Sequence, residues 1–113
     1  MTDAFVVNHP EILERLGGDE EILAMMFDMF QQDLDGNCAA LVAAIDSGRP
    51  EEIRREAHTV KGLLATFSDA AGAEAAYAVE LQAKAGNMAG LADAARALER
   101  RMREVAAALA ADR

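Results

Sequence analysis

The chain has little of what interrupts helices, cross-links small domains or crosses membranes. It contains two prolines, one cysteine and no tryptophan among 113 residues. The single Cys38 can form no internal disulfide, which fits a reducing compartment, and its place in an apolar helical pattern predicts a small buried side chain. No apolar run approaches the roughly 18 residues of a membrane span, and the N-terminus lacks the basic start of a secretory signal. We therefore expect a soluble, cytoplasmic protein.

Basic residues are also scarce. Eleven Lys and Arg stand against twenty Asp and Glu, which gives a net charge of −9 and argues against nucleic acid as a partner. Hydrophobic residues are abundant at 52%, and most of them are Ala, Leu, Met, Val and Ile, a composition that favours helices. The length predicts a single domain over residues 1–113.

Capping residues and apolar spacing divide the chain into five predicted helices. The predicted bounds are Asn8 to Leu16, Asp19 to about Asp46, Glu51 to Phe67, Ala70 to Ala85, and Met88 to Leu109. The first helix is short, and the other four are long and joined by short connections. Such a pattern predicts an all-α fold, an antiparallel up-down-up-down four-helix bundle over residues 19–111 with a short N-terminal cap helix in segment 1–18.

Large apolar residues at helical spacing are the expected core. In the alanine-rich fourth helix these are Val79 and Leu81, and in the last helix they form a seam that starts at Met88. The N-terminal part of the second helix has a wider apolar surface, through Met25, Phe27 and Met29. We expect this surface to receive the apolar residues of the cap segment, which are Phe5, Val6, Ile12, Leu13 and Leu16.

The most informative polar pattern is Ala57-His58-Thr59-Val60-Lys61-Gly62 in the third helix. Its apolar residues continue a narrow stripe at about 100° per residue, and His58 lies roughly 130° from the centre of that stripe, toward solvent. Lys61 and Gly62 share its side of the helix, because positions i, i+3 and i+4 are neighbours. Glycine within a helix costs about 1 kcal/mol relative to alanine, so close approach of another molecule is the expected reason for it. The alternative is an exposed histidine with no function.

This motif and its setting resemble the histidine-containing phosphotransfer (HPt) domain family. The resemblance extends to Leu16-Gly17-Gly18-Asp19, Phe27, Phe30, Ala44-Ile45-Asp46-Ser47-Gly48, Val79-Glu80 and Lys84. It implies a four-helix bundle that exposes the phospho-accepting histidine in mid-helix. Two positions depart from the family pattern: Leu63, where a small residue is common, and Ser68, where glycine is usual. Both departures concern the identity of the partner more than the reaction.

The resemblance implies that His58 accepts a phosphoryl group from the aspartate of a response-regulator receiver domain and passes it to another receiver. No cofactor is expected on this chain, because the receiver would supply Mg²⁺. Lys61 would offset the phosphate charge, while Gly62, Thr59, Leu63 and Lys84 would contact the receiver. We further expect Gln32 or Asp33, on the second helix, to orient the imidazole through its other nitrogen.

No set of residues in the sequence supports nucleotide binding or metal binding. There is no glycine-rich nucleotide loop, so we expect a phosphoryl carrier rather than an enzyme that phosphorylates itself from ATP. There is also no metal-ligand set at a recognised spacing. The alternatives are a helical adaptor that is never phosphorylated, and the HPt fragment of a hybrid sensor kinase or chemotaxis-type kinase. The initial Met1 and the long last helix favour a free-standing protein. We expect a monomer that has receivers, or a hybrid sensor kinase, as partners.

Overall fold

A computed structural model describes residues 3–112, and every regular element in that range is a helix. The helices are α1 (His9–Arg15), α2 (Glu20–Ser47), α3 (Pro50–Thr66), α4 (Ala70–Lys84) and α5 (Leu91–Asp112). The first four agree with the predicted bounds to within about a residue. In the described range, no helix has the length and apolar character that a membrane span requires.

Local capping fixes most of these bounds. Asn8, Asp19 and Asp69 each accept a backbone N–H from the first turn of the following helix. Gly48 ends α2 in the left-handed conformation, with φ of 66°. Ser68 also has a positive φ, 61°, in the short turn between α3 and α4. Most helices therefore begin or end at positions that the sequence marks clearly.

Helix α4 packs most closely against α3, and the other contacts complete a ring in which α2 touches α3 and α5, and α4 touches α5. Gly72 is one reason for the close approach. A Cβ at Gly72 would overlap the Asp69 carboxylate and lie 2.9 Å from Leu64 Cδ1. The small residue therefore lets the two backbones come together, and side chains of α4 can reach the outer face of α3.

The core contains apolar side chains from every helix, and it includes Cys38 as predicted. Phe30 of α2 and Phe67, which follows α3, have ring centroids 5.1 Å apart. The largest fully buried side chains are Phe67, Ile12, Leu41, Ile53, Leu64, Leu91, Leu98, Met102, Val60, Val105 and Cys38. The stripe beneath His58 consists of Ile53, Ala57, Val60, Leu64 and Phe67, and all five are buried.

Several core predictions were wrong. Leu81 is exposed, because α4 turns its Gly72, Ala76, Val79 and Ala83 side inward, and Leu81 is two residues from Val79. Met88 is exposed in the connection before α5, which begins three residues later than predicted. The predicted apolar contact of the cap segment is only partly present, since Val6, Met25 and Met29 are exposed whereas Phe5, Ile12 and Phe27 are buried.

A buried polar cluster holds the N-terminal segment in place. Arg101 of α5 donates to both carboxylate oxygens of Asp69, at 2.9 and 2.7 Å. The same guanidinium donates to the carbonyl oxygen of Asp3 at 2.6 Å. The N–H of Phe5 donates to Glu104 at 2.9 Å, and the Phe5 ring lies 6.0 Å from the Arg101 guanidinium. The cluster therefore joins the segment, the start of α4 and α5.

Candidate functional site

His58 is presented to solvent from the middle of α3. Its side chain is 65% exposed, as predicted, while its neighbours Ala57 and Val60 are buried. The ring is nevertheless held on one side, because Nδ1 lies 3.0 Å from Oε2 of Glu80 on α4. Within residues 3–112, Nε2 has no hydrogen-bond partner. The imidazole is thus oriented at one nitrogen and open at the other.

Glu80 connects His58 to Lys61. Its second oxygen, Oε1, lies 2.9 Å from Lys61 Nζ, and the side chain is only 14% exposed. Oε1 is enclosed and lacks an aligned hydrogen bond within the described range, so the ion pair with Lys61 is what compensates its charge. The interaction with Lys61, followed by the hydrogen bond with His58, lowers the pKa of Glu80 against the opposing effect of burial.

The ionised state of Glu80 determines which imidazole nitrogen can react. A carboxylate only accepts hydrogen bonds, so Nδ1 of His58 must be the donor in their contact. In the neutral ring the proton is then on Nδ1, and the lone pair is on the solvent-facing Nε2. The geometry therefore prepares one nitrogen as a nucleophile and leaves room in front of it.

Lys61 is less free than its place beside His58 suggests. Its side chain is 28% exposed, and its ammonium lies 4.7 Å from the centroid of the Tyr77 ring. Tyr77 and Glu80 are three residues apart on α4 and therefore lie on the same side of that helix. The ammonium is thus held between an aromatic ring and a carboxylate.

The backbone beyond His58 is open at Gly62. A Cβ built on Gly62 would have nothing within 4 Å, so packing within the chain does not explain the glycine. Thr59 is exposed, and its hydroxyl donates to the carbonyl oxygen of Arg55 at 3.3 Å. Leu63 is partly buried against the core, so only part of its side chain is available to another molecule.

Charged side chains of both signs lie beside His58, since Arg54 pairs with Glu51 at 2.8 Å and Arg55 lies 3.7 Å from Glu56. Arg54 and Arg55 line a shallow groove together with His58 and Thr59. Arg54 also lines the adjoining groove that contains Lys84, which is exposed at the end of α4. Sequence reasoning overlooked both arginines, although positions four and three residues before the histidine share its face of the helix.

Neither Gln32 nor Asp33 orients the ring. Both are exposed on α2, and in the described range neither has a hydrogen bond to His58, whose Nδ1 is bound by Glu80 instead. The sequence carried one signal for Glu80, since Val79-Glu80 is part of the HPt pattern. No signal pointed to Tyr77, because its role depends on how α4 is rotated against α3.

Comparison with known proteins shows which family the sequence resembles. The family model described as Hpt domain matches residues 25–109, from the first third of α2 to the last turns of α5. Neither the curated proteins nor the solved structures gave a match. The matched segment contains His58, Lys61 and Glu80, and it covers about three quarters of the chain.

Proposed function

The chain belongs to the Hpt domain family, and we propose that it carries a phosphoryl group on His58 between two receiver domains of a phosphorelay. Membership of the family supports a role in two-component phosphotransfer with response-regulator receivers as partners. The observation that carries the residue-level proposal is the exposed His58 whose Nδ1 is held by an ionised carboxylate.

The long helices provide the scaffold for this role. We take α2 to α5 to form an antiparallel up-down-up-down bundle, because consecutive helices are in contact and are joined by short connections. In that arrangement α3 has α2 on one side and α4 on the other. The face that carries His58 then remains uncovered, and Glu80 reaches it from α4.

The transfer step follows from the state of the imidazole. The lone pair on Nε2 attacks the phosphorus of the receiver's aspartyl phosphate, an N–P bond forms, and the P–O bond to the aspartate breaks. The receiver regains its carboxylate, and the positive charge of the phosphorylated ring is offset by Glu80 at Nδ1. A second receiver aspartate reverses these steps. The transition state is loose, so alignment and charge neutralisation are the main requirements.

The remaining side chains contribute to alignment and charge. Gly62 leaves the backbone bare where a receiver must approach, and Thr59 and Leu63 extend the docking surface. Lys84 adds positive charge in the groove that adjoins the His58 groove, which favours a partner whose active site is acidic. Mg²⁺ belongs to the receiver in this proposal. A small, partly apolar surface fits a transient complex.

The test is transfer from a phosphorylated receiver to the purified protein. We expect a label on the wild type that is labile in acid and stable in base, and that passes to a second receiver. His58→Gln should remain unlabelled, whereas His9→Gln, the matched variant of the other histidine, should label like the wild type. Equal labelling of His58→Gln and the wild type would refute the proposal.

The contributions of Lys61 and Glu80 can be measured in the same assay. Lys61→Ala should slow transfer without unfolding the protein, because the partly exposed Lys61 side chain lies outside the apolar core. Glu80→Gln should slow transfer by about tenfold, because the amide oxygen can still accept from Nδ1 but no longer carries the charge that pairs with Lys61 and offsets the phosphorylated ring. Unchanged rates in both variants would count against the arrangement described above.

A further inference from the structure

We propose that Tyr77 is a positioning residue for the phosphotransfer centre. Its ring keeps Lys61 against Glu80, so that Lys61 acts on the imidazole of His58 through the shared carboxylate. This inference rests on the proposed function of His58 and extends it to a residue that does not touch the imidazole.

The geometry places the three groups in series. The Lys61 ammonium is 4.7 Å from the Tyr77 ring centroid, within the range of about 6 Å in which the ring face attracts a cation. The same ammonium is 2.9 Å from Oε1 of Glu80, and Oε2 of Glu80 is 3.0 Å from the His58 ring. Within residues 3–112, Glu80 is the only ion-pair partner of Lys61.

The Tyr77 ring limits the conformational freedom of the Lys61 side chain. A lysine side chain has four flexible methylene groups, and fixing it in one conformation costs entropy. With no ring beside it, the Lys61 ammonium could leave the carboxylate for solvent. The Tyr77 ring covers one side of the ammonium and attracts it, so that it stays beside Glu80.

The location of the ammonium matters to the reaction because the incoming group is an anion. If Lys61 moved away, Glu80 would present an uncompensated negative charge next to the approaching phosphoryl group. With Lys61 held in place, Glu80 still accepts the hydrogen bond from Nδ1, but its charge is neutralised locally. Tyr77 therefore affects the rate through two intermediate side chains.

A packing role does not account for Tyr77. Its side chain is 47% exposed and lies outside the apolar core, to which α4 contributes Ala76 and Val79 instead. Leu81, one turn further along α4, is exposed to a similar degree and supplies a matched comparison for the loss of apolar surface. A purely structural effect should therefore be similar at the two positions.

The first test follows the carboxyl group of Glu80 by NMR in the unphosphorylated protein. In Tyr77→Leu the pKa of Glu80 should rise toward its usual value, because Lys61 is held less firmly beside it. Tyr77→Phe retains the ring and should preserve the low pKa, and Leu81→Ala should leave it unchanged. In a Lys61→Met background, Tyr77→Leu should cause no further shift.

The second test is the rate of phosphotransfer. We expect Tyr77→Leu to slow transfer by about two- to fivefold, the range that corresponds to a cation–π contact at an exposed site. Tyr77→Phe should transfer at the wild-type rate. In the Lys61→Met background, Tyr77→Leu should not change the rate further. A full effect of Tyr77→Leu in the Lys61→Met background would overturn the proposal and make Tyr77 a direct receiver contact.

The two tests separate this inference from the proposed function. If no receiver phosphorylates the wild type, the function fails, but the titration of Glu80 still decides whether Tyr77 positions Lys61. If transfer to His58 occurs and the pKa of Glu80 is the same in Tyr77→Leu and the wild type, the positioning role is refuted while the function stands.

Discussion

At the scale of single residues, Glu80 links the packing of α4 against α3 to the state of the His58 imidazole. It is a partly enclosed carboxylate with two partners on another helix, and each partner occupies one of its oxygens. Because Lys61 and His58 favour its ionised form, the folded protein binds fewer protons at Glu80 than the unfolded chain does. The stabilisation that it provides must therefore depend on pH.

We predict that Glu80→Gln lowers the free energy of unfolding at neutral pH and has progressively less effect in acid. The folded-state pKa is lowered, so the contribution is complete above the ordinary glutamate value of 4.5 and is lost as the pH falls through the folded value. Urea titrations at several pH values would measure it. Glu74→Gln, at an exposed glutamate on the same helix, is the control. A difference from wild type that persists unchanged in acid would contradict the prediction.

At the scale of helices, three glycines have the same intrinsic cost but different surroundings. Gly36 in α2 and Gly62 in α3 are exposed, and a Cβ at either position would meet nothing within 4 Å. Gly72 in α4 is buried, and a Cβ there would collide with Asp69 and press on Leu64. Helix propensity alone would favour alanine at all three positions.

We predict that Gly62→Ala and Gly36→Ala each raise the free energy of unfolding by about 0.5–1 kcal/mol. Urea unfolding would measure both changes. A larger residue separates stability from docking, since Gly62→Leu should slow transfer from the receiver without unfolding the protein. The control, Gly36→Leu, tests whether bulk on an exposed helix is harmful in itself. Equal transfer by Gly62→Leu and the wild type would show that the bare backbone is not part of the docking surface.

Gly72→Ala should have the opposite effect on stability. The added methyl group must displace the Asp69 carboxylate or part the α3 and α4 backbones, and overpacking of this kind costs about 1–3 kcal/mol. The same urea titrations would show it. Stability equal to that of Gly36→Ala would mean that the close contact between α3 and α4 is more adaptable than the structure indicates.

The helices also show what sequence could and could not predict. Their bounds depend on caps such as Asn8 and Asp19, which are local signals, and these bounds were accurate. The predicted start of α5 at Met88 was wrong. Met88 is in phase with the apolar seam, but Gly90 has a left-handed φ of 69°, so the helix begins only after it. In α4 the buried face consists mostly of small residues, so the large Leu81 was a misleading guide.

The candidate site also has features that the sequence predicts and features that it does not. The exposure of His58 follows from the period of the α3 stripe, and the open backbone at Gly62 follows from its place on the same face, so both were predicted correctly from sequence. The contact with Glu80 joins residues 22 positions apart in the chain. It depends on the rotation of α4 against α3, which close packing of small residues determines and which no local pattern encodes.

At the scale of the whole molecule, the buried Arg101–Asp69 pair connects parts of the chain that are distant in sequence. Asp69 also caps α4 by accepting from the Gly72 N–H, so one carboxylate both starts a helix and neutralises a buried guanidinium. Arg101 in turn bonds the Asp3 carbonyl oxygen. The pKa of Arg101 is raised, chiefly by its hydrogen bonds with Asp69.

We predict that Arg101→Met destabilises the protein by about 3–5 kcal/mol, because it leaves the Asp69 carboxylate buried without its partner. Asp69→Asn in the same chain should recover part of the loss, since an amide oxygen can still cap α4. Urea unfolding of the single and double variants would measure the coupling. Additive effects would show that the pair does not act as a unit. Transfer to His58 should persist in any variant that remains folded.

His9 provides a second connection, at the end of the molecule where α1, α2 and α5 meet. Its Nε2 lies 3.0 Å from Glu20 at the start of α2, and its Nδ1 lies 3.5 Å from Asp112 at the end of α5. The hydrogen bond with Glu20, with a further contribution from Asp112, raises the pKa of His9 above 6.5. The folded protein therefore binds a proton at His9 more strongly than the unfolded chain does.

The sign of the resulting pH dependence is opposite to that of Glu80. A raised folded-state pKa gives stability that is complete below about 6.5, the unfolded value, and disappears as the pH rises through the folded value. We predict that His9→Gln lowers the free energy of unfolding near pH 5.5 and has little effect near pH 9. Thermal unfolding at the two pH values would measure the difference, and Glu20→Gln should reproduce most of it. An equal loss of unfolding free energy at both pH values would contradict the prediction. It would mean that the His9 ring contributes by contact rather than by charge.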